Sequence, residues 1–457
     1  MSRIDRTMLP IPGPDRAFHF PRIARRLLPN GLEIRAVAHH SVPVASMVLL
    51  VPGGASLDPV HAHGLVSLTV GLLDEGSRGQ SALDISDRVA RIGGDLDLDA
   101  GPDAVVIGLT TLDRFLDRGL ELVQELAAEP NLADDDFNRI RNLRLERLRQ
   151  MKDHAAALAE RAFARVIYGT HPYGSLPLGD EAQVAALTVD GVRQLHAAMF
   201  APKGSTLVVV GDRDEEELID RAAAAFAEWR PASSALALDR AAPLVEPPSK
   251  PEVALGVVAR PGAAQSELRI GHACARRSTP DYHTLLVLNT ILGGDFVSRL
   301  NLNLREQKGY TYGVRTGFNL RRGVGPFAMQ TSVATDVTAA AIEQALAEIT
   351  AIAGARPVTE EEVSGAFATL SKGYPRGFET ASQVARSVAQ LALHNLPDSY
   401  FEEFVPRLAQ VQSEQVTAAA RQYLDVSKMT TVVVGDLDKI RASLDGLGHP
   451  VSLLNVQ

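Results

Sequence analysis

STLVVVGD at residues 205–212 and TTVVVGD at residues 430–436 decide the reading of the fold. Each is an unbroken apolar, β-branched run closed by Gly-Asp, the pattern of a strand buried on both faces and ended by a turn. The two glycines, Gly211 and Gly435, stand 224 residues apart. A period that long marks duplicated domains; solenoid repeats are roughly 20–50 residues long. Upstream of the first copy, LLPNGLEIRAVA (27–38), VASMVLLVPGG (44–54), DLDLDA (95–100) and AVVIGLTT (104–111) read as strands, with an Asn-Gly turn signal at Asn30-Gly31. Upstream of the second, VALGVVAR (253–260), LRIGHAC (268–274) and PFAMQTSV (326–333) do the same. Helical spacing runs through 63–73, 112–128, a charged region 137–163 broken around Asp153-His154, 338–353, 359–372 and 379–394. The fold class is therefore α+β: two duplicated halves, each a mostly antiparallel sheet packed with helices.

Composition places the boundaries. Residues 1–26 form an extended arm, with Pro10, Pro12, Pro14 and Pro21 opposing helix and sheet. The first α+β domain spans 27–230, a proline-rich linker 231–250, and the second domain 251–457.

The chain has 457 residues, 46% hydrophobic and 22% charged, with a net charge of −9. That balance argues against a dominant nucleic-acid or anionic-membrane surface. One cysteine, Cys274, allows neither an internal disulfide nor a cysteine zinc cluster, and reads as a small buried hydrophobe. No run approaches about 18 apolar residues, and the N-terminus carries no signal-peptide core, so a cytoplasmic protein is expected.

The chemistry concentrates in SRLNLNLREQKGYTYGV (298–314). It reads as a short amphipathic helix capped by Asp295, with Phe296, Val297, Leu300 and Leu304 as its apolar stripe. Gly309 stops the helix, and a strand is expected from Tyr310, placing Tyr310, Tyr312 and Val314 on one face. An arginine at a helix end and a tyrosine on the next strand, Arg305 and Tyr312, then aim at one point. The plain alternatives are dipole compensation for Arg305 and half-buried packing for Tyr312. His61-Ala-His63 precedes a helix without acidic or cysteine neighbours, a poor metal site. His171 is expected to fix its loop by hydrogen bonding, and Asp134 to Asp136 to open a helix.

Taken in order, NGLEIRAV (30–37), GLLDEGS (71–77), YGTHPYG (168–174), LREQKGYTYGV (304–314) and the paired VVVGD endings resemble the pitrilysin/insulinase-type zinc peptidases, the inverzincins. The likeness is greatest to their small bacterial, mitochondrial-processing-peptidase-like branch, and it covers nearly all of the chain from Leu27. The resemblance implies a clamshell of which this chain is half. It also implies a zinc motif, His-x-x-Glu-His, on the first helix, where two imidazoles hold the metal and the glutamate is the base. Here those positions are Ser67, Val70 and Gly71, and the third ligand falls near Glu146 to Leu148. This chain is therefore expected to bind no metal of its own. Arg305 and Tyr312 match the family's Arg-x6-Tyr spacing, which implies substrate binding and transition-state stabilisation in a partner's site. The implied role is the non-catalytic subunit of a heterodimeric zinc peptidase acting on peptides. The partner would be a homologous subunit bearing the zinc, with neither nucleic acid nor membrane involved. The alternative is a peptidase-fold structural or binding protein without a proteolytic role.

Overall fold

Both VVVGD runs are central strands of six-stranded sheets in the computed structural model, which describes residues 18–231 and 244–455. Most of the expected arm (1–17) and linker (232–243) thus lies outside the described residues. In the first half the strands are β1 (Ala24–Leu27), β2 (Glu33–Ala38), β3 (Val44–Pro52), the two-residue ribbon β4 (Gly76–Ser77) and β5 (Gln80–Ser81), β6 (Asp95–Ala100), β7 (Ala104–Leu112) and β8 (Thr206–Gly211). The helices are α1 (Leu65–Val70), α2 (Ala82–Arg91), α3 (Leu116–Ala128), α4 (Asp134–Met151), α5 (Ala155–Tyr168), α6 (Glu181–Ala186), α7 (Val189–Met199) and α8 (Glu215–Phe226). The second half adds β9 (Leu255–Ala259), β10 (Gln265–Ala275), β11 (Val314–Phe318), β12 (Gly325–Ala334), β13 (Thr430–Gly435) and β14 (Val451–Leu453). Its helices used below are α9 (Tyr282–Asn289), α10 (Thr338–Ile352), α11 (Glu360–Gly373) and α12 (Ala381–Leu393).

The sheet orders are β1-β2-β8-β3-β7-β6 and β11-β12-β10-β13-β9-β14. Reversed, the second order matches the first strand for strand except at one end. The parallel pair β2·β8 recurs as β9·β13, and the antiparallel run β8-β3-β7-β6 recurs as β13-β10-β12-β11. The outermost strands differ: β1 pairs antiparallel with β2 through the Asn30-Gly31 turn, whereas β14 pairs parallel with β9. Asn30 sets that turn by accepting from Leu32 N–H at 3.2 Å, and Gly31 has φ +89°.

The unbroken valines have a structural cause. On β8, Leu207 and Val209 face the first core while Val208 and Val210 face outward; on β13, Val433 faces in and Val432 and Val434 face outward. Each outer face is covered by a helix from the opposite half. Val384, Ala385, Val388 and Ala389 of α12 lie on Val37, Val48, Val208 and Val210, with Phe20 and Phe401 closing the edge. Ala159, Ala162, Phe163 and Ile167 of α5 lie on Val258, Val432 and Val434. Alanines at three- and four-residue spacing let both helices sit close to the sheets, and each fully buried valine contributes about 1.5–3 kcal/mol.

Polar clasps reinforce the exchange. The Tyr173 hydroxyl donates to Asp103 and accepts from Gly323 N–H at 3.0 Å, while Asp103 also accepts from Arg322 N–H at 2.9 Å. Tyr168 donates to the Val324 carbonyl at 2.9 Å. His171 accepts from Tyr173 N–H at 3.0 Å and its other ring nitrogen donates to the Val245 carbonyl at 2.8 Å, which fixes the HPYG loop. Because each half covers the other's sheet, the two are expected to unfold together. Phe163→Ala, which opens a cavity over the second sheet, is expected to lower the unfolding free energy by about 3–5 kcal/mol. It should shift the fluorescence transition of Trp229, buried in the first core, by the same amount as far-UV circular dichroism. Two separated transitions would show the halves to be independent.

Candidate functional site

The wide-turned helix Asn301–Gln307, entered at Arg299, carries Arg305, and β11 begins only at Val314. Its i to i+5 turns end where Gly309, at φ +65°, lets Tyr310 N–H bond the Leu304 carbonyl at 2.9 Å. The expected strand from Tyr310 is thus corrected: Tyr310 to Gly313 form a loop. The Thr311 hydroxyl accepts from Gly313 N–H at 3.1 Å and pairs with the Thr331 hydroxyl at 2.8 Å, taking the backbone out of the ladder. The expected apolar stripe is also corrected. Leu300 and Leu304 are buried, but Phe296 and Val297 lie before the helix and are exposed. Asp295 does not cap the helix; its carboxylate accepts from the neighbouring Phe296 N–H.

A buried asparagine between two leucines joins helix to strand. Asn301 Nδ2 donates at 3.0 Å to the carbonyls of Asp295 and Val314 and to the Ser298 hydroxyl, and its Oδ1 accepts from Val314 N–H at 2.9 Å. That clamp sets Arg305 and Tyr312 on the wall of one open groove of about 670 Å³, lined also by Glu267, Arg269, Arg315 and Gln330. The Tyr312 side chain is 95% exposed. The Arg305 guanidinium sits 3.3 Å from the Phe296 ring centroid, donates to the Phe296 carbonyl at 3.2 Å and pairs with Glu306 at 2.8 Å. Among the described residues its Nη1 makes no hydrogen bond. Arg305 thus brings a preorganised cation to the groove and Tyr312 an uncommitted phenol, both suited to carbonyl or oxyanion oxygens.

Of the positions that the resemblance sets against a zinc motif, Ser67 and Val70 lie on α1 and Gly71 follows its last residue. Asp58 caps this short helix, accepting from Gly64 and Val66 N–H at 2.7 Å each. Opposite stands Arg144 of α4, one turn before Leu148. Its guanidinium donates to the Ser67 hydroxyl and, at 3.1 Å, to the Ser67 carbonyl, and a Cβ on Gly71 would meet its Nη2 at 3.6 Å. Burial, with Arg147 adding to it, pulls the Arg144 guanidinium down to about 10 against the attraction of Asp58. Burial likewise pushes the Asp58 carboxyl up to about 6. Glu146, on the next face of α4, is turned to solvent and pairs with Arg149 at 2.8 Å. A serine, a valine, a glycine and a fixed guanidinium do not fit a zinc ion, so no step passes through one in this chain.

The remaining histidines and the cysteine are accounted for. His61 is exposed; the His63 ring nitrogen bonds the Ser175 hydroxyl at 2.8 Å and lies 3.6 Å from Asp180. Among the described residues no three His, Cys, Asp or Glu side chains are placed to share a metal ion. Cys274 is half-buried, its thiol donating to the Tyr423 carbonyl at 3.4 Å, and burial pushes it up to about 12. Sequence reasoning missed Asn301 and Arg144; the signal for each was a polar residue interrupting an apolar helical register.

Residues 186–370 match a family model described as "Peptidase M16 inactive domain". The chain is 25% identical over 413 residues to an "uncharacterized zinc protease" of Mycobacterium leprae, covering 88% of this chain and 89% of that one. It is 21% identical over 405 residues to a "non-peptidase homolog" of Helicobacter pylori, covering 88% and 91%. The crystal structure of a "peptidase M16 inactive domain" from Pseudomonas fluorescens superposes with a TM-score of 0.84 at 26% identity, covering 95% of this chain and all of that one. No helix among the described residues is long and apolar enough to cross a membrane. Restoring the motif letters alone is not expected to restore a zinc site. The variant Ser67→His/Val70→Glu/Gly71→His should retain less than about 0.1 equivalent of zinc after desalting, measured by atomic absorption, because Arg144 holds the locus and Glu146 faces solvent. One full equivalent would show that the locus had stayed open.

Proposed function

We propose that this chain, which resembles the M16 peptidases and carries Ser67, Val70 and Gly71 where that resemblance sets the zinc motif, is the non-catalytic subunit of a heterodimeric zinc metallopeptidase. Its homologous partner brings His-x-x-Glu-His and the metal, and the two close on a peptide in the cytoplasm. Arg305 and Tyr312 then bind the substrate backbone and steady negative charge on the attacked carbonyl, where donors fixed in advance gain most over water. One pairing of observations supports this reading. The zinc locus is filled by Arg144, while Arg305 and Tyr312 share an open groove in which the phenol has no partner among the described residues. The groove wall contributes a second device, since β11 is an edge strand whose outer ladder is unpaired.

A second reading is a peptidase-fold structural or binding protein. It is favoured by the way Arg305 is tied to Phe296 and Glu306. The readings separate in the assembled complex. Arg305→Ala and Tyr312→Phe are each expected to lower peptide turnover about 10-fold or more while the complex elutes unchanged in size-exclusion chromatography. Full turnover in both variant complexes overturns the transition-state role.

A further inference from the structure

A second cavity, of about 450 Å³, opens between α9, the end of β11 with its following turn, and α12, away from the Arg305 groove. Its volume falls within the roughly 300–1,000 Å³ of small-molecule sites. We propose that it binds a small organic acid, with Arg277 taking the carboxylate and the apolar walls enclosing the body of the ligand.

Arg277 is held rather than free to wave. Its guanidinium lies 3.6 Å from the Tyr282 ring centroid and 5.1 Å from that of Tyr400, and Nη2 donates to the Tyr400 hydroxyl at 2.7 Å. Among the described residues its Nε and Nη1 make no hydrogen bond, which leaves an edge of the fork for a planar carboxylate. Across the cavity, α12 turns Ser387, Gln390, Leu391 and His394 inward at i, i+3, i+4 and i+7 spacing. The adjoining stripe of the same helix, Val384, Ala385 and Val388, is spent on the first sheet, with Leu391 at the border of the two. The Ser387 hydroxyl, the Gln390 amide and the His394 ring make no hydrogen bond among the described residues, so three polar groups converge on the cavity without a partner. Leu286, Phe318 and Leu396 supply the apolar wall.

The charge balance selects the ligand class. Burial, with Arg277 and Arg322 adding to it against Asp103, pulls His394 down to about 4, so its ring is neutral at pH 7 and adds no second cation. One guanidinium matches one carboxylate; a phosphate dianion would leave a charge uncompensated in a half-buried site. The flanking rings of Tyr282 and Tyr400 and the leucines suit an aromatic or branched aliphatic body.

3-Phenylpropionate tests this on the full chain, by isothermal titration calorimetry and saturation-transfer NMR. Saturable binding is expected with a Kd on the order of 1 mM or tighter, given about eleven heavy atoms at ordinary ligand efficiency. 3-Phenylpropanol, which keeps the phenylpropyl body but carries no charge, should bind about 10-fold more weakly. Arg277→Met, which keeps an apolar filler between the tyrosines, should weaken 3-phenylpropionate about 10-fold or more. Gln390→Glu, on the exposed shoulder of α12, tests the same point by placing a like charge opposite without touching the core. Arg305→Ala should leave binding unchanged, which separates this site from the peptidase role. Absence of saturation at about 20 mM, equal binding of the alcohol, or wild-type affinity in both Arg277→Met and Gln390→Glu overturns the assignment.

Discussion

The exchange of covering helices between the halves is the constraint from which the rest follows. A sheet with valines on both faces of its central strands must be covered twice, and each half's own helices cover its sheet on the inner face. The outer layer comes from the other half: α5 crosses to the second sheet and α12 to the first. The clasp of Tyr173, Asp103 and Gly323 sits where those crossings meet, with its polar groups satisfied. Each half thus buries apolar surface of the other.

That frame positions both loci. The groove of Arg305 and Tyr312 hangs on the edge of the second sheet, backed by the start of α5, so a helix from the first half forms part of its wall. Asn301, at the start of the wide-turned helix, bridges to the first residue of β11, and the loop between helix and strand carries Tyr312 into solvent. At the other locus a guanidinium stands against the first helix. Arg144 reaches from α4 to α1 and bonds Ser67. A small residue at each of positions 67 and 71 makes room for it. Asp58 meets the free N–H groups at the start of α1 and faces the same guanidinium. The first helix is thereby part of a packed, hydrogen-bonded interface.

Local signals were read directly. The Asn30-Gly31 turn, the break between α4 and α5 at Asp153-His154 and the stop at Gly309 all depend on neighbours a few residues away. The helix α8 was equally available in Glu215 to Glu217 followed by Leu218, Ile219, Ala222 and Phe226, though the reading halted at the strand before it. The start of β11 was not legible, because alternation in YTYGV says nothing of a threonine hydroxyl capturing the backbone, nor of Thr331 on the facing strand. The exposure of Phe296 and Val297 was hidden for a related reason: the helical register was extrapolated through residues that precede the helix.

By itself the sequence determined the duplicated α+β fold, the identities of Ser67, Val70 and Gly71 on and just after the first apolar helix, and the spacing of Arg305 and Tyr312. These are properties of residue identity and order along the chain. Only the tertiary structure decided which helix covers which sheet, that Arg144 stands against Ser67, and that Arg305 and Tyr312 share a groove. Each of those depends on partners about 70 to more than 200 residues away, and hydrophobic burial specifies that a face must be covered without specifying by what.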